Sequence, residues 1–308
     1  MGKQSKFLLA DLALILAAVI WGLNFTFTKF SISLMPPMEF TGLRYIISAA
    51  ILGVFFFKIL KTTTRSELRA GCVIGIFLFI GSLAQIVGLL YTTPGKSGFI
   101  STFYIVIVPF LVSFLHKKFV GWMPIGGAIL AFIGLCLISI SMDDISMINK
   151  GDLLSLVCAF FYALQILAVE HYAPRYNVYN LTIIQIAFTG ILSMGYSVVF
   201  ESMTFQVPGF VWGALIYTII LGTCIAYLIQ NIAQKYTSSS KAALLYGLEA
   251  PLALLFSILI WGETITARGL LGCTLIFVAI IFVVMGPTIM SVIANTHQKL
   301  LNTISHSK

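Results

Sequence analysis

The chain has 308 residues, of which 59% are hydrophobic and 9% charged, with a mean hydropathy of +1.04 and a net charge of +8. Soluble domains carry roughly 25% charged residues, so the composition excludes a water-soluble enzyme or binding module and predicts a polytopic membrane protein.

A crossing helix needs about 20 mostly apolar residues. Ten such segments are predicted, at 8–30, 38–57, 72–91, 97–115, 123–141, 152–170, 180–200, 210–234, 242–261 and 268–286. In the first, Lys3 and Lys6 precede an apolar run that continues to Phe30 without a small-residue cleavage site, so it reads as a helix and not a signal peptide. Lys6 also occupies the position that a myristoylation motif reserves for Ser or Thr.

The first segment returns in the sixth. DLALILAAVIWGLNFTFTK from Asp11 aligns without a gap on DLLSLVCAFFYALQILAVE from Asp152, and Gln85 and Tyr91 align with Gln230 and Tyr236. The offset is 141 residues early and 145 later (152 − 11 and 230 − 85). Each copy holds five crossings, 8–141 and 152–286, and an odd number makes the second copy enter from the opposite face. Inverted repeats of this kind are a transporter architecture with the substrate site between the halves. The remaining 287–308 is expected as a cytoplasmic tail, with Ile289, Val292, Ile293, Leu300, Leu301 and Ile304 spaced as on an interfacial helix or left in a disordered segment.

Basic residues orient the set. With the N-terminus cytoplasmic, the inside collects Lys3, Lys6, Lys58, Lys61, Arg65, Arg69, Lys117, Lys118, Arg175, Lys235, Lys241, Lys299 and Lys308, and the outside keeps Lys29, Lys96, Lys150 and Arg268. Thirteen against four places both termini in the cytoplasm of a multi-pass cell-membrane protein. The positive charge is then a topology signal and not a nucleic-acid footprint. Cys72, Cys136, Cys158, Cys224 and Cys273 fall within apolar spans and read as packing residues.

Polar residues at helical spacing mark faces turned away from lipid. Along the chain these stripes are Trp21, Asn24 and Thr28 in the first segment, Thr41, Arg44 and Ser48 in the second, Gln85 in the third, and Ser97, Ser101 and Tyr104 in the fourth. The second copy answers with Tyr162, Gln165 and Val169, then Thr182, Gln185 and Thr189, then Gln230, Asn231 and Gln234, then Ala242, Tyr246 and Glu249. The fifth and tenth segments offer Gly126, Gly127, Gly134, Gly269 and Gly272 among aliphatic neighbours, which suits peripheral packing and a glycine-bearing face for dimerisation of an otherwise monomeric chain. A central cavity lined by segments one to four and six to nine is therefore expected. The plainer reading of each stripe is interhelical hydrogen bonding, worth about 0.6 kcal/mol per contact.

Glu249 lies about 16 Å along its segment from Ser238, near the middle of a ~30 Å hydrocarbon layer. An acid there costs about 2.5–3.5 kcal/mol on insertion scales and needs a partner or a task. It could hold an ammonium group, bind a proton, or pair with Arg44. Arg44 in turn could clamp a carboxylate with its planar fork or extend to the headgroups. Lys96 and Lys241, repeat mates at the starts of the fourth and ninth segments, would shape the two cavity mouths or anchor at the interface. Trp21, Tyr104, Tyr162 and Tyr246 supply aromatic walls.

Rival chemistries fail on spacing. Pro94-Gly95-Lys96-Ser97 resembles the end of a phosphate loop, but Leu90 stands where the first glycine belongs. His116, His171, His297 and His306 fall in loops or the tail without metal-ligand spacing, so neither a metal nor a cofactor is expected, and no enzyme. A lone acid in one copy makes no charged ring of the kind channels use.

The runs AAVIWGLNFTFTK, TTPGKSGFISTFYIVIVP (Gly95, Lys96, Gly98, Phe99, Pro109) and SSKAALLYGLEAPLALLFSILIWGE (Lys241, Glu249, Pro251, Gly262, Glu263), together with the duplication, resemble the EamA branch of the drug/metabolite transporter superfamily over residues 8–286. The first copy departs from that pattern after its fourth segment, reading HKKFVG where the second reads a GE dipeptide. The resemblance implies an all-α membrane protein of ten helices in two inverted five-helix halves, with the fifth and tenth peripheral and alternating access to a central pocket. The substrate must come from the site. Glu249, Tyr246, Tyr104, Arg44, Trp21, Asn24, Gln85, Gln230, Ser101, Tyr162 and Gln185 are the expected substrate-binding residues, Glu249 also the candidate for proton coupling. An amino acid or derivative, exported, would satisfy both Glu249 and Arg44. The alternatives are a proton-coupled transporter of organic cations, with Arg44 structural, and a membrane receptor or scaffold that moves no solute.

Overall fold

The computed structural model describes residues 3–117, 119, 121–139, 149–262 and 266–283. Its regular elements are all helical: α1 (Lys3–Ile32), α2 (Pro37–Phe55), a short α3 (Phe57–Leu60), α4 (Arg65–Leu90), α5 (Pro94–Ser101), α6 (Tyr104–His116) and α7 (Trp122–Ser139) in the first half. The second half continues with α8 (Lys150–Tyr172), α9 (Val178–Phe200), α10 (Gly209–Ile219), a π turn (Ile220–Ile225), α11 (Ala226–Gln234), α12 (Ser239–Tyr246), α13 (Glu249–Trp261) and α14 (Ala267–Val283). Among the described residues, eight helical stretches are long and apolar enough to cross a membrane; α7 and α14, at the fifth and tenth predicted segments, offer shorter apolar stretches, Trp122–Gly134 and Ala267–Val283. The tail 287–308, Lys118 and Glu263 lie outside the described residues.

Local chemistry explains the boundaries. Helix α4 starts at Arg65, seven residues before the predicted 72, because Thr64 and Glu67 form a capping box that satisfies free N–H groups ahead of the apolar run. Asn149 and Asp152 do the same for α8. The predicted fourth and ninth segments are each broken once. Ser101 Oγ donates to the Ser97 carbonyl at 2.7 Å and Thr102 Oγ1 to that of Gly98, diverting the carbonyls at the α5–α6 junction. In the other copy the break falls at Gly247 and Leu248, and Pro251 has no N–H to give to the Gly247 carbonyl.

The two breaks sit in the same register. Helix starts at 37 and 178 differ by 141, and those at 94 and 239, 104 and 249, and 122 and 267 each by 145. Three of the four extra residues enter between the starts of α9 and α10, where α9 is four residues longer than α2 and the 201–208 connection is one residue shorter than 56–64. After their caps at Thr64 and Pro208, α4 and α10 start 144 apart (209 − 65), and the π turn takes up the extra residue before Gln230.

Successive spans alternate direction, so the bundle has two ends. The first collects the α1–α2, α4–α5 and α9–α10 connections, and there Glu201 caps α2 through the N–H groups of Met38 and Glu39 at 3.0–3.1 Å. At the second end, Glu67 accepts from Asn177 N at 3.0 Å and Asn180 Nδ2 at 3.3 Å, tying α4 to α9.

The bundle keeps its polar side chains inside, among hydrophobic core clusters, and turns large apolar side chains outward. Ser48, Thr182, Gln185, Thr189, Ser193 and Asn231 are fully buried, whereas Phe114, Trp122, Val198 and Leu259 are exposed, the distribution a hydrocarbon solvent selects. Helices α2 and α9 are among the closest neighbours, with α4 laid across α8 and α9 and α1 against α13. The α2–α9 approach needs small residues: a Cβ at Gly42 would stand 2.9 Å from Met194 N, and one at Gly190 2.8 Å from Ile46 N. Two glycines of the fifth segment pack against the tenth. Cβ atoms at Gly127 and Gly134 would strike Val283 and the Gly272 carbonyl of α14, so these two glycines serve the α7–α14 contact.

Gly42→Leu is accordingly expected to destabilise the protein by about 1–3 kcal/mol through overpacking, lowering the thermal unfolding midpoint in detergent. Gly195→Ala, where nothing lies within 4 Å of the new methyl, should leave that midpoint unchanged.

Candidate functional site

A cavity lies between the halves. Its wall brings together Trp21 and Asn24 from α1, Arg44 from α2, Gln85 from α4 and Tyr104 from α6. The second half contributes Tyr162 from α8, Gln230 from α11, Tyr246 from α12 and Glu249 from α13. The broken helices are what deliver the last of these: Tyr104 and Glu249 are each the first residue of the helix after the break. Ser101 and Gln185 are not in the wall. Ser101 turns its hydroxyl onto its own helix, and Gln185 reaches Gln165 from behind, accepting from its Nε2 at 3.4 Å.

Arg44 is 6% exposed and held by the π turn. A π turn shifts the backbone hydrogen-bond register, and here the Gly222 carbonyl accepts from Arg44 Nη2 at 3.1 Å and from Trp21 Nε1 at 3.0 Å. Thr223 Oγ1 accepts from Arg44 Nε at 2.6 Å and donates to the Thr218 carbonyl, five residues back. Arg44 thus stays within the protein and does not extend to the headgroups. A Cβ at Gly222 would stand 2.6 Å from Asn24 Oδ1, so a larger residue there would push the Asn24 side chain aside.

Glu249 accepts from Tyr104 Oη at 3.3 Å. The ion pairs among the described residues join Lys96 to Asp152 and Lys241 to Asp11, and neither pairs Arg44 with Glu249. The cavity therefore holds one cation and one acid facing the same space without neutralising each other. Trp21 packs against Tyr227 and edge-on to Tyr246, with centroids 5.4 and 5.3 Å apart. Asn24 Oδ1 is buried with no hydrogen-bond partner in the protein.

Three polar lining residues escaped the sequence reading, although helical spacing marks two of them. Ser82 and Tyr227 each stand three residues before a predicted glutamine, Gln85 and Gln230. With Tyr45 they make a hydroxyl chain: Tyr227 Oη to Tyr45 Oη at 3.0 Å, Tyr45 to Ser82 Oγ at 3.2 Å, Ser82 to Tyr162 Oη at 3.4 Å, and Tyr162 to Gln85 Oε1 at 2.9 Å. Nothing in the sequence announced the π turn.

Lys96 and Lys241 stand at opposite ends. Each opens a short helix whose hydroxyl cap, Thr93 or Ser238, accepts from its backbone N–H. Lys96 Nζ lies 3.0 Å from Asp152 Oδ2, and Lys241 Nζ 2.6 Å from Asp11 Oδ2. Asp11 and Asp152 are themselves repeat mates, so each half places its lysine on the other half's aspartate. Among the described residues, no group of three or more His, Cys, Asp or Glu side chains could hold a metal ion.

The sequence model of the EamA-like transporter family matches residues 8–140 and again 149–285. The chain is 35% identical over 278 residues to an uncharacterized transporter of Archaeoglobus fulgidus, covering 90% of this chain and 86% of the relative. It is 25% identical to a probable amino-acid metabolite efflux pump of Salmonella typhimurium, covering 88% and 93%. A solved crystal structure superposes with a TM-score of 0.73 at 18% identity over 89% of this chain and 95% of the other, a likeness of fold.

The two reciprocal ion pairs should contribute to stability independently of each other. Asp11→Asn and Lys241→Met are expected to lower the thermal midpoint non-additively, with a coupling of about 0.5–1 kcal/mol because the lysine is partly exposed. A double-mutant cycle in detergent measures it; Asp11→Asn with Lys96→Met should be additive.

Proposed function

The chain belongs to the EamA-like transporter family, and on that footing we propose that it exports an amino acid or a close derivative through alternating access between two inverted five-helix halves. It is a multi-pass membrane transporter and not an enzyme; the substrate, the direction, ten crossings in all and cytoplasmic termini are the proposed refinements. The observation carrying the substrate is the unpaired coexistence of Arg44 and Glu249 in one cavity. A zwitterion supplies the missing partners: its carboxylate takes the remaining Arg44 N–H groups, and its ammonium takes Glu249 and the free Asn24 Oδ1. Trp21, Tyr104, Tyr162 and Tyr246 surround the side chain, and the amides of Gln85 and Gln230 close the wall. The export direction rests on the likeness to the probable efflux pump of Salmonella typhimurium.

One observation favours a second reading. Two faces of Arg44, Nε and Nη2, are already spent on Thr223 and Gly222, as they would be if Arg44 only braced the π turn and the substrate were an organic cation exchanged for protons at Glu249.

Uptake of labelled amino acids and of their decarboxylated amines into proteoliposomes, with and without a pH gradient, separates the two. If the zwitterion reading holds, Arg44→Gln should cut amino-acid uptake at least about tenfold, roughly 1.4 kcal/mol, and spare the amines. Glu249→Gln should depress both. Equal loss of both substrate classes in Arg44→Gln, or gradient-dependent uptake of amines alone, would replace that reading with the second.

A further inference from the structure

The two halves are alike in sequence and helix register but differ in what they do with matching side chains. At the second end, four contacts pull the half-bundle shut. Gln165 and Gln230 exchange amide hydrogen bonds at 3.2 and 3.1 Å. Gln165 Nε2 also reaches Gln185 Oε1, Asn231 Nδ2 donates to Thr182 Oγ1 at 2.9 Å, and Gln234 Nε2 donates to the Ile166 carbonyl at 3.1 Å.

The offsets of 141 and 145 carry these pairs onto Asn24–Gln85, Asn24–Arg44, Ile86–Thr41 and Leu89–Phe25. None of the four pairs is joined by a hydrogen bond, and every member lines the cavity. One set of positions is zipped at the second end and apart at the first.

The zipped side chains are under-satisfied. Gln185 Nε2, Asn231 Oδ1 and Gln234 Oε1 are buried with no hydrogen-bond partner in the protein, on residues that are 0%, 0% and 1% exposed. An unsatisfied buried polar atom costs about 1–3 kcal/mol, and each such atom needs a reason to be there. Apolar side chains would serve this packing better: the mates of Asn231 and Gln234 are Ile86 and Leu89. Polar groups at these places are useful when they meet a polar solute or its water.

We infer that Thr182, Gln185, Asn231 and Gln234 are the lining of a second, collapsed vestibule at the α8–α9 end, which opens in the other access state as the first-half cavity closes. This rests on the transport reading of the same site. The vestibule is lined by neutral amides and hydroxyls, so it takes a polar solute by hydrogen bonding. Its counterpart of Arg44 is Gln185, which lacks the charge that holds a carboxylate. The opened second end therefore grips an anionic group less tightly than the first, which suits it to the low-affinity step of the cycle. The Lys241–Asp11 ion pair closes this end, and its loss favours opening.

The test is thiol accessibility in sealed vesicles with the full chain, its five native cysteines replaced, and a membrane-impermeant maleimide applied to each face in turn. Gln234→Cys should label slowly, and at least tenfold faster when Lys241→Met or Asn231→Ile is added, from the face opposite to the one that labels Leu89→Cys. Leu89→Cys should slow under the same additions. An unchanged Gln234→Cys rate with both additions, or labelling from the same face as Leu89→Cys, would overturn the inference. Should the cysteine-free chain not fold, cleavage by a soluble protease in the 235–238 connection of the native-cysteine protein, compared with and without Asn231→Ile, gives the same readout: unchanged protection overturns it. Both readouts report conformation and need no substrate, so an unsuccessful amino-acid screen would leave this result standing.

Discussion

In a hydrocarbon surrounding, every backbone and side-chain polar group must find its partner inside the protein, and the organisation of this molecule follows from how that requirement is met or deliberately left open. At the helix breaks, Ser101 and Thr102 hydroxyls take up diverted carbonyls. At the π turn, the Gly222 carbonyl is given to Trp21 and Arg44, which fixes a cation in the wall that no acid neutralises. The site exists because a backbone irregularity was placed where side-chain donors from the other half could answer it.

Much of this was legible. The duplication, the apolar segments and the polar stripes follow from residue type and spacing, and stripe residues such as Trp21, Asn24, Arg44 and Glu249 do meet in one cavity. Legibility failed where geometry depends on register within a helix. Ser101 shares a stripe with Tyr104, but the break between them turns Ser101 onto its own carbonyls while Tyr104 faces the cavity. Glycine spacing showed where α7 and α14 allow close approach, without saying that they approach each other. The π turn looks like ordinary apolar helix, ILGTCI.

The halves share a plan without sharing chemistry. Glu249 stands where the other copy has Tyr104, and Gln185 where it has Arg44. Charge is thus placed once on each side of the cavity, on different elements of the repeat, so that the site as a whole is dipolar although neither half is. Shape can be inherited from duplication, because helix starts and breaks depend on caps and prolines; recognition needs the copies to diverge at the few positions that face the solute.

The reciprocal ion pairs have a consequence for how the molecule is held together. Lys96 contacts Asp152 while Lys241 contacts Asp11, so position i meets j at one end and j meets i at the other. That is the contact pattern of an isologous interface, in which one surface is complementary to itself about a twofold axis. The chain is in this sense a dimer of five-helix units sealed into one polypeptide. Covalent linkage frees what a true homodimer forbids: one rim can be retuned without altering the other, and so the two ends can differ in strength.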